Sequence, residues 1–591
     1  DDLARSVVGT VARTVGGTGE LAGSAAAVLP RLLRLERVDA DTTVSLGSLL
    51  AEQARTRPSS TFFLFEGRGY SYADASVRVD NIVKGLLSLG VRQGEHVGVL
   101  MHTRPSGLAT IVAISRLGAV AVMLRPDGDL AREVELGDVQ RLVVDPEHAE
   151  VAATQLKIPV LVLGGGGQAR ELGLNVVDME RIDPDAVTVP AWYRANPGRA
   201  GDLGFVLFTG SGVRTRANRI SNGRWMLSAL GTASAASLDE SDTVYGITPL
   251  HHPSGLMTAI GGAIAGGARL ALTAEHDPET FWTEVRRYGV TVVAYTWTLC
   301  RDLVNAPPDP REAHHPVRLF LGSGMPVSVW RRVLERFGPA SVLEFYASTE
   351  GQAVLVNLDG RRVGAKGRPL PGSVDVAVVR YDMDARRLVV GADGFAARTA
   401  PGEVGLLLAK VPPETPAVSA SPLRSVLAPG DAWSSTGDLF TVGTDGQHHL
   451  MGSVDALLRT DAGFVPVASV EDAVQWCPGV DLAVGYGLRL RSGRDLLVIA
   501  VTLVPGVEAL DLDRLARTVT DRLPAGHVPT VIRIVEDVVT TTWYRPMRGP
   551  LRDEGLPATK AWVWHPADRC YEPLTAAQRD RLLAGERAFT R

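Results

Sequence analysis

Lysine is nearly absent from this 591-residue chain: of 61 basic residues only Lys84, Lys157, Lys366, Lys410 and Lys560 are lysine, and the rest are arginine. Chemistry that needs a compact ammonium has few places to draw on. Cysteine is scarcer still. Cys300, Cys477 and Cys570 lie far apart and form no Cys-x-x-Cys pair, so the cysteines indicate neither a disulfide framework nor a zinc site, and a reducing, cytoplasmic setting fits. The pairs His251-His252, His314-His315 and His448-His449 lack ligand spacing, since strand neighbours point to opposite faces. There is no strong charge of one sign either, and a net charge of -5 gives no bulk electrostatic case for nucleic acid. The longest uncharged run, residues 243–268, is Gly-rich and broken by Pro249, His251, His252 and Pro253, so it reads as a buried strand, loop and helix rather than a membrane span. No signal peptide is visible, and a start at Asp1 rather than Met leads us to expect trimming or a longer polypeptide.

What is present is an ordinary globular composition, 45% hydrophobic, in a chain too long for one core. Residues 1–43 read as an N-terminal helical arm: apolar positions alternate with Arg5, Arg13, Arg31, Arg34 and Arg37, a pattern open to packing on the domain or to peripheral membrane contact. From residue 44 helical and strand patterns alternate. Helices are expected over 44–57, 73–89 and 104–117, and apolar strands over 95–101, 119–124, 140–144, 160–163 and 204–208. This alternation predicts an α/β fold with doubly wound sheets in a large N-terminal domain. After Gly351 short strands with Gly/Pro/Asp turns suggest a small β subdomain, and from Asp455 an independent α+β pattern begins. The expected division is therefore 44–453 for the large domain and 454–591 for a small mobile C-terminal domain.

Several strands run out into loops of functional groups, and a strand end is where an open α/β sheet places its ligand. Residues 344–351 read Glu-Phe-Tyr-Ala-Ser-Thr-Glu-Gly: Tyr346 could stack on a flat ring, Thr349 could donate to a phosphate oxygen, and Glu350 could hold a hard divalent cation. Thr209, Gly210, Ser211 and Gly212 leave the strand at 204–208 with Arg214 and Arg216 close behind, a small-residue loop able to cradle phosphate. Gly322, Ser323 and Gly324 end another strand, and Leu250 to Gly255 follow a third. Trp433-Ser434-Ser435-Thr436-Gly437-Asp438 adds a carboxylate after a turn.

Together and in this order these stretches resemble the adenylate-forming superfamily, and within it the fatty-acid-transport-protein and very-long-chain acyl-CoA synthetase branch. The likeness runs from about residue 44 to the end. Residues 344–351 are similar to the adenine and magnesium loop, 433–438 to the Thr-Gly-Asp ribose element, and Tyr571 to Glu586 to that branch's terminus. The resemblance implies a two-step reaction. A fatty acid carboxylate attacks ATP to give acyl-AMP and pyrophosphate, and the CoA thiol then takes the acyl group. It implies ATP, Mg²⁺ and CoA as cofactors and fatty acid and CoA as partners. Glu350 would hold Mg²⁺, Thr349 and the loop from Thr209 would contact phosphates, and Tyr346 with Gly322 to Gly324 would frame adenine. Asp438 would accept the ribose hydroxyls, while His252 and Trp297 would line the acyl site beside an apolar tunnel drawn from residues 256–264.

Three positions depart from the pattern. The superfamily's phosphate-loop lysine is replaced by Arg216, or by Ala217 with a different gap. The hinge arginine is replaced by Ser453, and the C-terminal lysine by Tyr544 or Arg545. All three serve the adenylation step, where one lost preorganised cation costs about 3 kcal/mol, roughly a hundredfold in rate. Three readings follow: an active synthetase using Arg216 and Arg545 in place of lysine, an impaired homologue that binds fatty acid, acyl-AMP or acyl-CoA, and an adenylating enzyme with a carrier-protein acceptor.

Overall fold

A computed structural model of the chain describes residues 30–31, 33–34, 37–165, 172–173, 175–210, 212–273, 277–347, 353–358, 360, 362–370, 373–413, 422–541, 545–557 and 559–589. Of the expected arm, residues 30–31, 33–34 and 37–43 fall inside this range. The chain divides into two compact units, Asp1–Tyr295 with Pro308–Leu321, and Thr296–Pro307 with Gly322–Arg591.

In the first unit a seven-stranded sheet has the order Val176–Asp178, Val160–Val162, Arg141–Val144, His96–Leu100, Val120–Met123, Leu203–Thr209, Arg216–Ser221. The first six strands are parallel and the last is antiparallel. Their Val/Leu-rich runs are covered on both faces, as parallel sheets require. Leu142, Val144, Val162 and Val206 are fully buried in one cluster on this sheet. The helix Pro105–Leu117, started by Pro105 and stopped by a left-handed Gly118, is buried along almost its whole length. A second set of strands, Arg68–Ser71, Thr61–Phe65, Arg269–Leu272, Thr243–Gly246, Val292–Ala294 and Leu319–Gly322, is parallel except for the first hairpin.

The second unit opens with antiparallel strands in the order Ser341–Ala347, Val354–Asn357, Ala365–Pro369, His448–Ser453, Ala432–Val442, Gly405–Lys410, Val376–Val379. Gly367 is obligatory here. Its φ is +92°, and a Cβ would lie 1.9 Å from the carbonyl oxygen of Val356. That close approach fixes the strand that carries Lys366.

A five-stranded sheet follows, in the order Val480–Arg489, Asp495–Leu503, Val531–Ile534, Ala561–His565, Cys570–Pro573. The helices Val467–Gln475 and Leu512–Arg522 cover one face through Val470, Val474, Leu515 and Val519. Leu551 and Leu582, from the helices Arg548–Glu554 and Ala576–Leu583, cover the other. The α/β class expected from the sequence is the one observed. No described helix is long and apolar enough to cross a membrane.

Candidate active site

Within the second unit two of the expected nucleotide residues, Tyr346 and Asp438, are directly joined. The strand Ser341–Ala347 carries Tyr346, whose hydroxyl donates to Asp438 Oδ2 at 2.6 Å. The Tyr346 ring meets Phe440 edge-on with centroids 4.9 Å apart. Asp438 follows Gly437, whose φ of +74° turns the strand Ala432–Val442 just before the carboxylate. Its own N–H donates to Thr436 Oγ1 at 3.2 Å, and Thr436 in turn donates to the carbonyl of Leu407 at 2.8 Å.

Burial pushes the Asp438 carboxyl above its ordinary range, while the Tyr346 hydroxyl and the Arg545 guanidinium pull the other way. Burial, then Asp438 itself, pushes the Tyr346 phenol up. Arg545 is exposed; Thr541 N–H donates to the Arg545 carbonyl at 2.9 Å and Arg545 N–H donates to Thr541 Oγ1 at 3.1 Å. Ser453, opposite Asp438 in the ladder, donates weakly to the Gly437 carbonyl at 3.4 Å, so this position offers a short hydroxyl in place of a cation.

Gly324, with φ at +77° and, among the described residues, nothing beyond its chain neighbours within 4 Å of where a Cβ would stand, leaves space beside the turn at Gly322 and Ser323. Sequence reasoning missed what holds that turn. Glu344, fully buried one strand position before Phe345, accepts from Gly324 N–H at 2.7 Å and from Met325 N–H at 3.4 Å. Lys366 Nζ lies 2.7 Å from the same carboxylate. Burial acts against the Lys366 charge, but Glu344 outweighs it and raises the ammonium's pKa. The only available signal was the rarity of lysine itself, since Glu344 and Lys366 are joined by no local pattern.

In the first unit the phosphate-loop candidates leave the strand Leu203–Thr209. Thr209 pairs across the hairpin with Arg216, and Gly210 and Gly212 take φ of +76° and +52°. Arg125, buried and bonded to Glu133 through Nε at 2.6 Å, donates through Nη1 to the Gly210 carbonyl at 2.8 Å. Asn218 donates to Thr209 Oγ1 at 3.0 Å. Thr215 Oγ1 is buried without a hydrogen-bond partner among the described residues, a hydroxyl available to an anion. These two left-handed glycines and the orphaned hydroxyl fit a phosphate group. Arg216 is exposed beside them.

His252 accepts from Ser254 N–H through Nδ1 at 3.1 Å. Its neighbour His251 was passed over in the sequence: burial lowers it to about 4, with Asp127 opposing and Arg125 adding to the effect. Trp297 opens the helix Trp297–Asn305 behind a Thr296 cap and is buried. The stretch expected to line a tunnel forms the helical segments Ser254–Ile260 and Gly261–Gly266. One face of it is closed, because Cβ atoms at Gly261 and Gly262 would meet Ala229 at 2.9 Å and Thr232 at 2.7 Å. Ser211, Thr349 and Glu350 lie outside the described residues.

The fold that carries these residues is that of the acyl-CoA ligases. The anthranilate CoA ligase AuaEII, solved with anthranoyl-AMP, superposes with a TM-score of 0.70 over 88% of this chain and 98% of that one, at 17% identity, a likeness of fold. Residues 50–410 match the AMP-binding enzyme family, and the chain belongs to it. It is 28% identical over 566 residues to the medium/long-chain-fatty-acid–CoA ligase of Mycobacterium tuberculosis, covering 93% of this chain and 92% of that protein. It is 26% identical over 551 residues to long-chain fatty acid transport protein 2 of Rattus norvegicus, covering 89% and 88%. The branch suggested by the sequence is therefore the one to which it is similar.

Proposed function

We propose that the protein is a long-chain or very-long-chain fatty acid–CoA ligase that forms an acyl-adenylate from ATP and transfers the acyl group to CoA. The observation that carries this reading is the convergence of Tyr346, Asp438 and Arg545 in one unit with the open turn at Gly324. Tyr346 would stack on adenine beside Gly322, Ser323 and Gly324. Asp438 would accept from the ribose hydroxyls, a task for a carboxylate held by a fixed strand.

Thr209, Gly210, Ser211 and Gly212 would line the phosphates, and Thr215 would offer its free hydroxyl. Arg216 and Arg545 would balance negative charge as it shifts to the leaving pyrophosphate and to the attacked phosphorus, in place of the usual lysines. Thr349 would donate to a phosphate, and Glu350 would hold Mg²⁺, which when bound neutralises triphosphate charge. His252 and Trp297 would line the acyl site. In this reading 44–453 is the adenylate-forming body and 454–591 the mobile cap, with peripheral membrane contact through residues 1–43 and a cytoplasmic location.

A second reading, a homologue that binds acyl-AMP or acyl-CoA but adenylates poorly, is favoured by one observation. The hinge position holds Ser453, whose hydroxyl is turned to the Gly437 carbonyl and cannot replace a guanidinium. One experiment separates the two. Pyrophosphate release and acyl-CoA formation are followed with ATP, Mg²⁺ and a panel of fatty acids. Turnover that Glu350→Ala abolishes supports the ligase; acyl-CoA binding with no pyrophosphate above buffer supports the binding protein.

A further inference from the structure

The seven-stranded sheet has a point at which its connections diverge. The strand His96–Leu100 leads through the helix Pro105–Leu117 to Val120–Met123 on one side. Its parallel neighbour Arg141–Val144 leads through the helix Ala149–Gln155 to Val160–Val162 on the other. Between two such strands an open α/β sheet leaves a crevice at the carboxyl ends, the usual place for a ligand. No residue assigned above to nucleotide or acyl group lies there.

The residues that do lie there are His102, two positions past the first strand, Asp145, directly past the second, and His148, closing the turn Pro146–His148. The Asp145 side chain is fully buried. Its Oδ2 accepts from His102 N–H at 2.8 Å and meets His102 Nδ1 at 2.9 Å. Its Oδ1 meets His148 Nδ1 at 2.5 Å and accepts from His148 N–H at 3.2 Å. The two imidazoles face each other with centroids 4.6 Å apart, and one candidate ligand atom from each of the three residues lies within 4.8 Å of the others.

We propose that His102, Asp145 and His148 bind a divalent transition-metal ion of the zinc type. Two imidazole nitrogens and one carboxylate oxygen are a ligand set suited to Zn²⁺ and its late first-row neighbours and not to Mg²⁺ or Ca²⁺, which prefer all-oxygen shells. An ion held by both Nδ1 atoms and the carboxylate needs ligand atoms roughly 3 Å apart; each Nδ1 already lies 2.5–2.9 Å from one Asp145 oxygen and the three ligand atoms lie within 4.8 Å of one another, so a small rotation of the rings completes the set. Supporting bonds are in place, because the two backbone N–H groups hold the carboxylate in its orientation. Arg104, 3.8 Å from Asp145, is occupied by Glu147 through bonds of 2.9 and 3.2 Å, so the nearby positive charge is shared with a second carboxylate. His102 is 43% exposed, which gives an ion a way in. Three protein ligands leave a fourth position for water or a substrate atom, the arrangement of an open rather than a closed zinc site.

The test is equilibrium dialysis of the full chain against Zn²⁺, with the visible spectrum of the Co²⁺ form as a second readout. Wild type is expected to bind one ion at this site and to show a Co²⁺ band of a low-coordinate N/O site. His102→Ala and His148→Ala should each weaken binding by roughly tenfold or more, while retaining the wild-type circular dichroism spectrum. His565→Ala, in the hairpin cluster with Asp568 and Glu572, serves as the control and should leave it unchanged. Absence of Zn²⁺ binding by folded wild type, or wild-type affinity in either His102→Ala or His148→Ala, overturns the proposal.

Discussion

Tyr346 donates its hydroxyl to Asp438 at 2.6 Å across two strands that are not neighbours in the sheet. The phenol thus occupies one oxygen of the carboxylate proposed to take ribose, and it favours the ionised form against the larger pull of burial. Asp438→Ala should weaken AMP binding by about 1.5–3 kcal/mol, the worth of charged hydrogen bonds, measured by calorimetry. Tyr346→Phe acts in the opposite sense on the carboxyl. Removing the donor raises the Asp438 pKa further, so the acid limb of AMP binding should move to higher pH. An unmoved limb would show that Asp438 does not govern it.

Glu344 and Lys366 form a buried pair whose carboxylate also holds the turn at Gly324. Removing one partner strands the other's charge, so Lys366→Met should cost about 3–5 kcal/mol in chemical denaturation. Glu344→Gln combined with Lys366→Met should recover part of that loss, because no lone charge remains. A double variant less stable than the sum of the singles would count against the pair.

Asp472, on the helix Val467–Gln475, is held up at about 7, first by burial and then by Glu471 and Glu344, with Lys366 opposing. The folded state therefore keeps a proton that the unfolded chain releases near pH 4, and stability falls as pH rises from about 4 to about 7. Asp472→Asn should remove that slope. Its gain over wild type is expected to be about 1–3 kcal/mol at pH 8 after allowing for partial exposure and to shrink toward zero by pH 4, read from urea midpoints across the range.

Arg545 is, with Tyr544, one of the two residues that stand where the resemblance expects lysine, and its charge reaches Asp438. If it serves adenylation, Arg545→Ala should slow pyrophosphate release roughly a hundredfold while acyl transfer from supplied acyl-AMP changes far less. Arg545→Lys should restore much of the first step. Equal loss in both half-reactions would remove the assignment.

The sequence made the doubly wound strands legible because their Val/Leu runs are uninterrupted, and it brought out Tyr346 and Asp438 because each sits in a compact local pattern. Other features depend on pairing at a distance. The strand Arg216–Ser221 reads Arg-Ala-Asn-Arg-Ile-Ser, with no alternation to reveal it, and is fixed only by its ladder to Leu203–Thr209. The seven-residue helices Leu130–Leu136 and Ala149–Gln155 are too short for periodicity to emerge. Arg125 under Gly210 and Lys366 under Glu344 are invisible for the same reason. Burial decides their importance, and burial is a property of the folded chain.

The loop proposed to receive phosphate includes Gly212, with no atom of the described residues beyond its chain neighbours within 4 Å of its missing Cβ, and Val213, which is 95% exposed. Val213 can accept a bulky chemical label at little cost to packing. A fluorophore on Val213→Cys would sit on the loop proposed to receive triphosphate; Cys300 and Cys477 are buried away from the same reagent, and the partly exposed Cys570 would first be replaced by serine.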